Sequence, residues 1–265
     1  MRNFAHMNIP DNIGLVLSGG GARGISHLGA LQAIDEMGIY PKFLSGTSAG
    51  AIVGALYAAG HRPMEILNFI TKTNILRYFK PAGNLTGLLR IEKTEEAFRL
   101  FLAEDNFESL KIPLFVNATD IERGEIVYFS TGELIKPLQA ASCIPFLFAP
   151  VEIGGRFYID GGILNNLPAE PLVGRCDYII GIHSNAVSEL KVNNMKQVIE
   201  RTFHLIINAN IESRKSLCHL FIEPPEMASY KVFDVAKAKE IFDIGYRHTK
   251  QVLTGALLGY QSTIA

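Results

Sequence analysis

Cysteine is scarce in this chain: Cys143, Cys176 and Cys218 are odd in number and widely spaced in 265 residues. That argues against a disulfide framework or a zinc site and fits a reducing compartment. Excess charge is missing too. The 25 Lys and Arg against 26 Asp and Glu leave a formal net charge of -1, which gives no electrostatic case for nucleic acid. No apolar run reaches the length that spans a bilayer, and Met1 to Asn12 lacks the apolar core of a signal peptide, so a cytoplasmic protein is expected. Internal repeats and low-complexity linkers are absent. What is there, 48% hydrophobic and 19% charged residues at this length, suits one large α/β domain and is short for two.

The most informative segment is Gly46-Thr47-Ser48-Ala49-Gly50. A serine with a glycine two residues away on each side suits a sharp strand-to-helix turn that exposes its hydroxyl, because glycine relieves the clash a Cβ would cause there. Pro41 to Ser45 reads as the strand and Ala49 to Ala59 as the helix. Ser48 is then either a nucleophile at a helix N-terminus or simply a helix cap. Upstream, Gly14 to Ser18 reads as a buried strand and Ile25 to Met37 as a helix, joined by Gly19-Gly20-Gly21-Ala22-Arg23-Gly24. This loop satisfies G-x-G-x-x-G, but no acidic residue ends the next strand to hold a ribose, and no Gly-Lys-Ser/Thr follows for a phosphate loop. An oxyanion hole made of backbone N-H groups, or a plain tight turn, remains.

A serine nucleophile needs a base. The histidines, His6, His27, His61, His183, His204, His219 and His248, sit in no marking motif, and only His183, just after the apolar strand Tyr178 to Ile182, has a suggestive position. Asp160 is the better candidate. The short strand Phe157-Tyr158-Ile159 delivers it into Gly161-Gly162, and partial burial raises a carboxylate's pKa toward useful basicity. The plain alternative is an Asp-Gly turn in a hairpin.

In order and spacing, Gly19 to Gly24, Gly46 to Gly50 and Asp160-Gly161-Gly162 resemble the three signatures of patatin-like phospholipases. Ala141-Ser142-Cys143-Ile144-Pro145, Pro150-Val151 and Ile163-Leu164-Asn165-Asn166-Leu167-Pro168 extend the resemblance, which runs from about Gly14 to Ile182 and more loosely through Val232 to Val252. Many members have Asp-Gly-Ala where this chain has Asp160-Gly161-Gly162, a change of space rather than chemistry. The resemblance implies a three-layer α/β/α sandwich with a mostly parallel central sheet. Its core would be about 13–182, covered by 183–265, within a single domain of 1–265. It also implies an acyl-ester hydrolase acting on lipids through a Ser-Asp dyad. Ser48 would be the nucleophile, Asp160 the general base and Gly19, Gly20 and Gly21 the oxyanion hole. Arg23, Gly24, Gly46, Gly50, Gly161 and Gly162 would give the motifs their shape. No metal or cofactor is called for.

A lipid substrate raises the question of membrane contact. Over 66–93, apolar residues alternate with Lys72, Arg77, Lys80, Arg90 and Lys93, the pattern of a lid, of a peripheral membrane face, or of a helix packed on its own core. Val192 to Ile211 and Asp234 to Leu258 read as covering helices and Leu217 to Glu223 as a strand. A conventional Ser-His-Asp esterase, for which only His248 is placed late enough, and a non-catalytic lipid-binding protein on the same fold are the alternatives.

Overall fold

Ile13-Gly14-Leu15-Val16-Leu17 shows no polar alternation, the pattern of a strand covered on both faces, and it forms β1 (Ile13–Leu17) with every residue buried. The computed structural model describes residues 10–72, 80–81, 89–91, 93–189 and 191–263. After β1 and a 3-10 turn at Gly21–Ile25 come α1 (Ser26–Glu36), β2 (Phe43–Gly46), α2 (Ala49–Ala58) and α3 (Pro63–Lys72). The short strands β3 (Lys80–Pro81) and β4 (Leu89–Arg90) pair with each other, and Leu89 also bridges to Phe148. Next are α4 (Thr94–Phe98), β5 (Leu114–Asp120), β6 (Glu125–Phe129), α5 (Ile135–Ala141), β7 (Val151–Ile153) and β8 (Arg156–Asp160). The described chain continues through β9 (Tyr178–Ile182), α6 (Met195–Asn208), α7 (Ile211–Lys215), β10 (Leu220–Ile222) and α8 (Ala238–Thr263).

The main sheet has eight strands in the order β10-β9-β1-β2-β5-β8-β7, with β6 also on β5. Strands β10, β9, β1, β2 and β5 run parallel, whereas β6, β7 and β8 are antiparallel additions, so the sheet is mixed. The register around β5 places the site. β2 runs parallel to β5 and ends with Gly46 opposite Val116; β8 runs antiparallel and ends with Asp160 opposite Ala118. β6 pairs across both of those stretches, so it occupies one edge of β5 and leaves β2 and β8 to share the other. The two strands therefore point at each other along one edge and stop on either side of Asn117.

Alternate residues of β1 feed two cores. Ile13, Leu15 and Leu17 pack with Leu28, Leu31, Val53, Ile241 and Phe242 of α1, α2 and α8, while Val16 packs with Leu172, Cys176 and Ile211 on the opposite face. The sheet is thus covered on both faces, an α/β sandwich. The cysteines are free thiols. Among the described residues no helix is long and apolar enough to cross a membrane.

In the first part of the 66–93 segment, Ile66 and Leu67 of α3 are buried, and the Phe69 ring meets Phe101 edge-on with centroids 4.3 Å apart. Its residues 73–79, 82–88 and 92, with Ile75, Leu76, Arg77, Tyr78, Phe79, Leu85 and Leu88, lie outside the described residues.

Helices α1 and α8 meet closely because each offers a glycine to the other's backbone. A Cβ on Gly29 would run into the Phe242 carbonyl oxygen and lie 2.6 Å from the Tyr246 amide nitrogen, and one on Gly245 would strike the Ser26 carbonyl oxygen. Gly29→Ala is therefore expected to cost about 1–3 kcal/mol of stability through overpacking. Urea unfolding, followed by circular dichroism, checks this; a wild-type midpoint would contradict it.

Candidate active site

The turn between β2 and α2 is held by close backbone approach. A Cβ on Gly50 would overlap the carbonyl oxygens of Leu17 and Ser18, and one on Gly46 would lie 2.7 Å from the Ala51 nitrogen and the Gly50 oxygen. Ser48, between them, has φ 51° and ψ -123°, a conformation that costs a non-glycine residue on the order of 1–3 kcal/mol and persists where the surroundings enforce it. It stands at the N-cap position of α2, yet its hydroxyl makes no capping hydrogen bond. It lines a small cavity together with the Asp160 carboxylate instead, and pulls that group's pKa down. Thr47 anchors the turn from below: its hydroxyl donates to the Asn117 side-chain oxygen and to the Asn165 carbonyl at 3.1 Å.

Asp160 is buried at the end of β8 and is not part of the hairpin turn, which lies between β7 and β8. Its Oδ1 accepts the Gly162 amide at 2.8 Å, capping a 3-10 turn at Gly161–Ile163. Burial pushes its pKa up to about 6, against the opposing pull of the nearby Ser48 hydroxyl and of the Gly162 amide.

The glycine loop is clamped through one peptide. The Gly19 amide donates to Asn166 Oδ1 at 3.1 Å, so it is already engaged. The Gly19 carbonyl accepts from Ser18 Oγ and Ser184 Oγ, both at 2.9 Å, and from Asn185 Nδ2. Because the peptide is trans, the Gly20 N-H points opposite to that carbonyl. Among the described residues, the Gly20 and Gly21 amides have no protein acceptor. Both glycines line a small cavity with Ser48, Asp160, Arg23 and Asn166, whose buried Nδ2 is likewise unpartnered.

Arg23 brings a buried cation to this cavity. Its Nη1 lies 3.1 Å from His204 Nε2, burial lowers its pKa to about 10, and no carboxylate pairs with it among the described residues. His204 in turn is pushed down to about 4, first by burial and then by the Arg23 charge, which leaves it neutral.

None of the described histidines lines the cavity. His183 is bound to Glu223, Nδ1 to Oε1 at 2.6 Å. His27 is fully buried with Nε2 2.8 Å from the Ser18 carbonyl oxygen, and its pKa falls to about 4 through desolvation. His248 lies on α8, and His6 falls outside the described residues. The Ser-His-Asp alternative therefore finds no described histidine at Ser48. Asn117, Ser184, Asn185 and α6, which supplies Phe203 and Ile207 to the cavity, carry no sequence motif and come into view only in the fold. Asn166 had one faint signal, its place in the stretch after Gly161-Gly162.

Asp160→Asn is expected to stabilise the protein at pH 7. Above about pH 4 an unfolded chain ionises this carboxylate, whereas the folded one keeps its proton up to about pH 6, so stability drains away as pH rises between them. The variant escapes that loss, a gain on the order of 1–3 kcal/mol at pH 7 that closes below about pH 4. Denaturant unfolding at both pH values tests it; equal stability at pH 7 would contradict the raised pKa.

A family model described as patatin-like phospholipase matches residues 15–173, which contain the glycine loop, Ser48 and Asp160. An uncharacterized NTE family protein of Mycobacterium tuberculosis is 38% identical over 177 residues, covering 65% of this chain and 49% of its own length. The lysophospholipase NTE1 of Saccharomyces cerevisiae is 27% identical over 279 residues, covering 92% of this chain and 17% of its own. The chain thus spans about half or less of the length of these curated relatives. Among solved structures, VipD from Legionella pneumophila is similar in fold, with a TM-score of 0.61 at 18% identity over 93% of this chain and 67% of that one. With the family model spanning more than half of its residues, the chain belongs to the patatin-like phospholipase family.

Proposed function

We propose that this protein hydrolyses carboxylic esters of lipids, as a phospholipase A or lysophospholipase, through an acyl-Ser48 intermediate with Asp160 as the only base. One observation carries the reading: a strained serine whose hydroxyl caps nothing shares a small cavity with a buried carboxylate whose pKa is raised to about 6. A base poised near the working pH balances the ionised fraction against the drive to take a proton.

The Asp160 carboxylate takes the Ser48 proton as Oγ bonds to the ester carbonyl carbon. Charge moves to the carbonyl oxygen, where the Gly20 and Gly21 amides receive it. As the intermediate collapses, Asp160 returns the proton to the departing alcohol oxygen and leaves acyl-Ser48. Water then attacks the acyl carbon and gives its proton to Asp160; the bond to Oγ breaks, Ser48 recovers the proton, and the fatty acid departs. Arg23, a buried cation with no carboxylate partner among the described residues, favours an ester that carries phosphate, in keeping with the lysophospholipase name of the yeast relative.

A fluorophosphonate probe is expected to label the wild type and not Ser48→Ala; an unlabelled wild type would point to a lipid-binding scaffold without activity. Asp160→Asn is expected to lower kcat about a hundred- to ten-thousandfold, the usual contribution of a positioned base. Wild-type kcat/KM is expected to fall as pH drops below about 6, where Asp160 gains its proton. A flat acid limb, or a loss in His183→Ala matching that in Asp160→Asn, would contradict the assignment. Asn185→Ala removes a hold on the Gly19 carbonyl, and since losing an oxyanion donor outright costs about 100- to 1,000-fold, an indirect kcat loss of about tenfold with little change in KM is expected.

A further inference from the structure

Asn166 brings a side-chain amide to the reaction cavity and uses only half of it. Its Oδ1 accepts the Gly19 amide at 3.1 Å, and because a backbone N-H only donates, the atom on that side is the oxygen. The amide is thereby fixed in one orientation, with Nδ2 on its other side. Asn166 is 4% exposed, its Nδ2 has no hydrogen-bond partner among the described residues, and it lines the same cavity as Gly20, Gly21, Ser48 and Asp160. How near it lies to these groups follows from two glycines. A Cβ on Gly19 would lie 2.5 Å from Asn166 Oδ1 and 3.1 Å from Ser48 Cβ, and one on Gly162 would lie 2.9 Å from Asn166 Oδ1 and 3.0 Å from Asp160 Oδ1. The amide therefore sits between the glycine loop, the nucleophile and the base.

The backbone on either side of Asn166 is held. The Asn165 carbonyl accepts from Thr47 Oγ1 at 3.1 Å and from Asn117 Nδ2 at 2.8 Å, and the Leu167 amide donates to Asn165 Oδ1 at 3.1 Å. A clamp on Gly19 needs only an acceptor. A second polar end, buried with its donors unpaired, costs free energy and gives the fold nothing in return. Asp160 is not its partner, since the groups that lower the Asp160 pKa are Ser48 and the Gly162 amide.

We propose that Asn166 is a catalytic residue whose Nδ2 donates to the ester carbonyl oxygen as that oxygen becomes an anion, beside the Gly20 and Gly21 amides. The inference rests on the acyl-ester hydrolase reading above. Ser48 Oγ bonds to the carbonyl carbon, its proton passes to Asp160, and the carbonyl π pair moves onto oxygen, where the hydrogen bond from Nδ2 strengthens. When the carbonyl re-forms, the departing alcohol takes the proton from Asp160 and that bond weakens again. A donor fixed in advance costs no reorganisation at the moment of reaction.

Two variants separate donation from clamping. Asn166→Asp keeps an acceptor for Gly19 but loses the donor, whereas Asn166→Ala loses both and adds no charge. Donation predicts that kcat on a water-soluble short-chain ester falls about 100- to 1,000-fold in each, with kcat/KM falling equally. Wild-type kcat in Asn166→Asp would reduce the residue to a clamp, and wild-type kcat in Asn166→Ala would trace any loss in the aspartate variant to its charge; either result overturns the proposal. A trifluoromethyl ketone supplies a second readout, because Ser48 adds to its carbonyl and the fluorine resonance of the adduct titrates with the new hydroxyl. That hydroxyl is expected to titrate about one pH unit or more higher in both variants than in the wild type. An unshifted titration would contradict donation. A wild type that hydrolyses no ester would sink the hydrolase reading and this inference with it, while an active wild type matched by Asn166→Asp defeats this inference alone.

Discussion

Two strands that meet head-on along one edge of β5 bring Ser48 and Asp160 to one place. β2 arrives parallel and β8 antiparallel, and each stops beside Asn117. A strand end is where a chain turns, so both turns open at one point, one carrying Ser48 and the other Asp160. Asn117 ties them: its side-chain oxygen accepts from Thr47 and its Nδ2 donates to the Asn165 carbonyl at 2.8 Å. The strained Ser48 backbone persists because this meeting point and the carbonyl oxygens pressed against Gly50 allow no relaxed alternative.

The electrostatics follow from burial at that point. Desolvation raises the Asp160 pKa to about 6 and keeps His27 and His204 neutral, and among the described residues Arg23 has no carboxylate partner and the Gly20 and Gly21 amides beside it have no acceptor. The Arg23 guanidinium and the two glycine amides favour negative charge in the cavity, and their burial strengthens that preference. The burial that raises the Asp160 pKa also costs stability at neutral pH, a trade that is common at functional sites.

What could be read from the sequence was local. Gly50 and Gly46 are close to Ser48 in the chain, and Gly161-Gly162 follow Asp160, so the physical demands of each turn are written beside the residue they serve. The covered strands β1 and β9 announced themselves by unbroken apolar runs, and α8 by its periodicity. The rest depends on distant pairing. That β8 runs antiparallel into a parallel sheet, that Asn117 lies between two turns, and that Ser184 and Asn185 hold the Gly19 carbonyl are consequences of register, which no single segment encodes. The amphipathic pattern of α6 is visible in the sequence, but which of its faces meets solvent is decided by the cavity it covers. Likewise Gly19, Gly20 and Gly21 look equivalent in the chain, and only the hydrogen bond to Asn166 separates the engaged amide from the other two.

The central claim is a serine acylated with the help of a carboxylate. It is tested most directly by mixing the protein with an ester substrate, quenching in acid before turnover is complete, and mapping the digested peptides by mass. An acyl group on the Ser48 peptide, formed by the wild type and far more slowly by Asp160→Asn, is the result this account predicts. An acyl group on another residue, or full-rate acylation in Asp160→Asn, would contradict it.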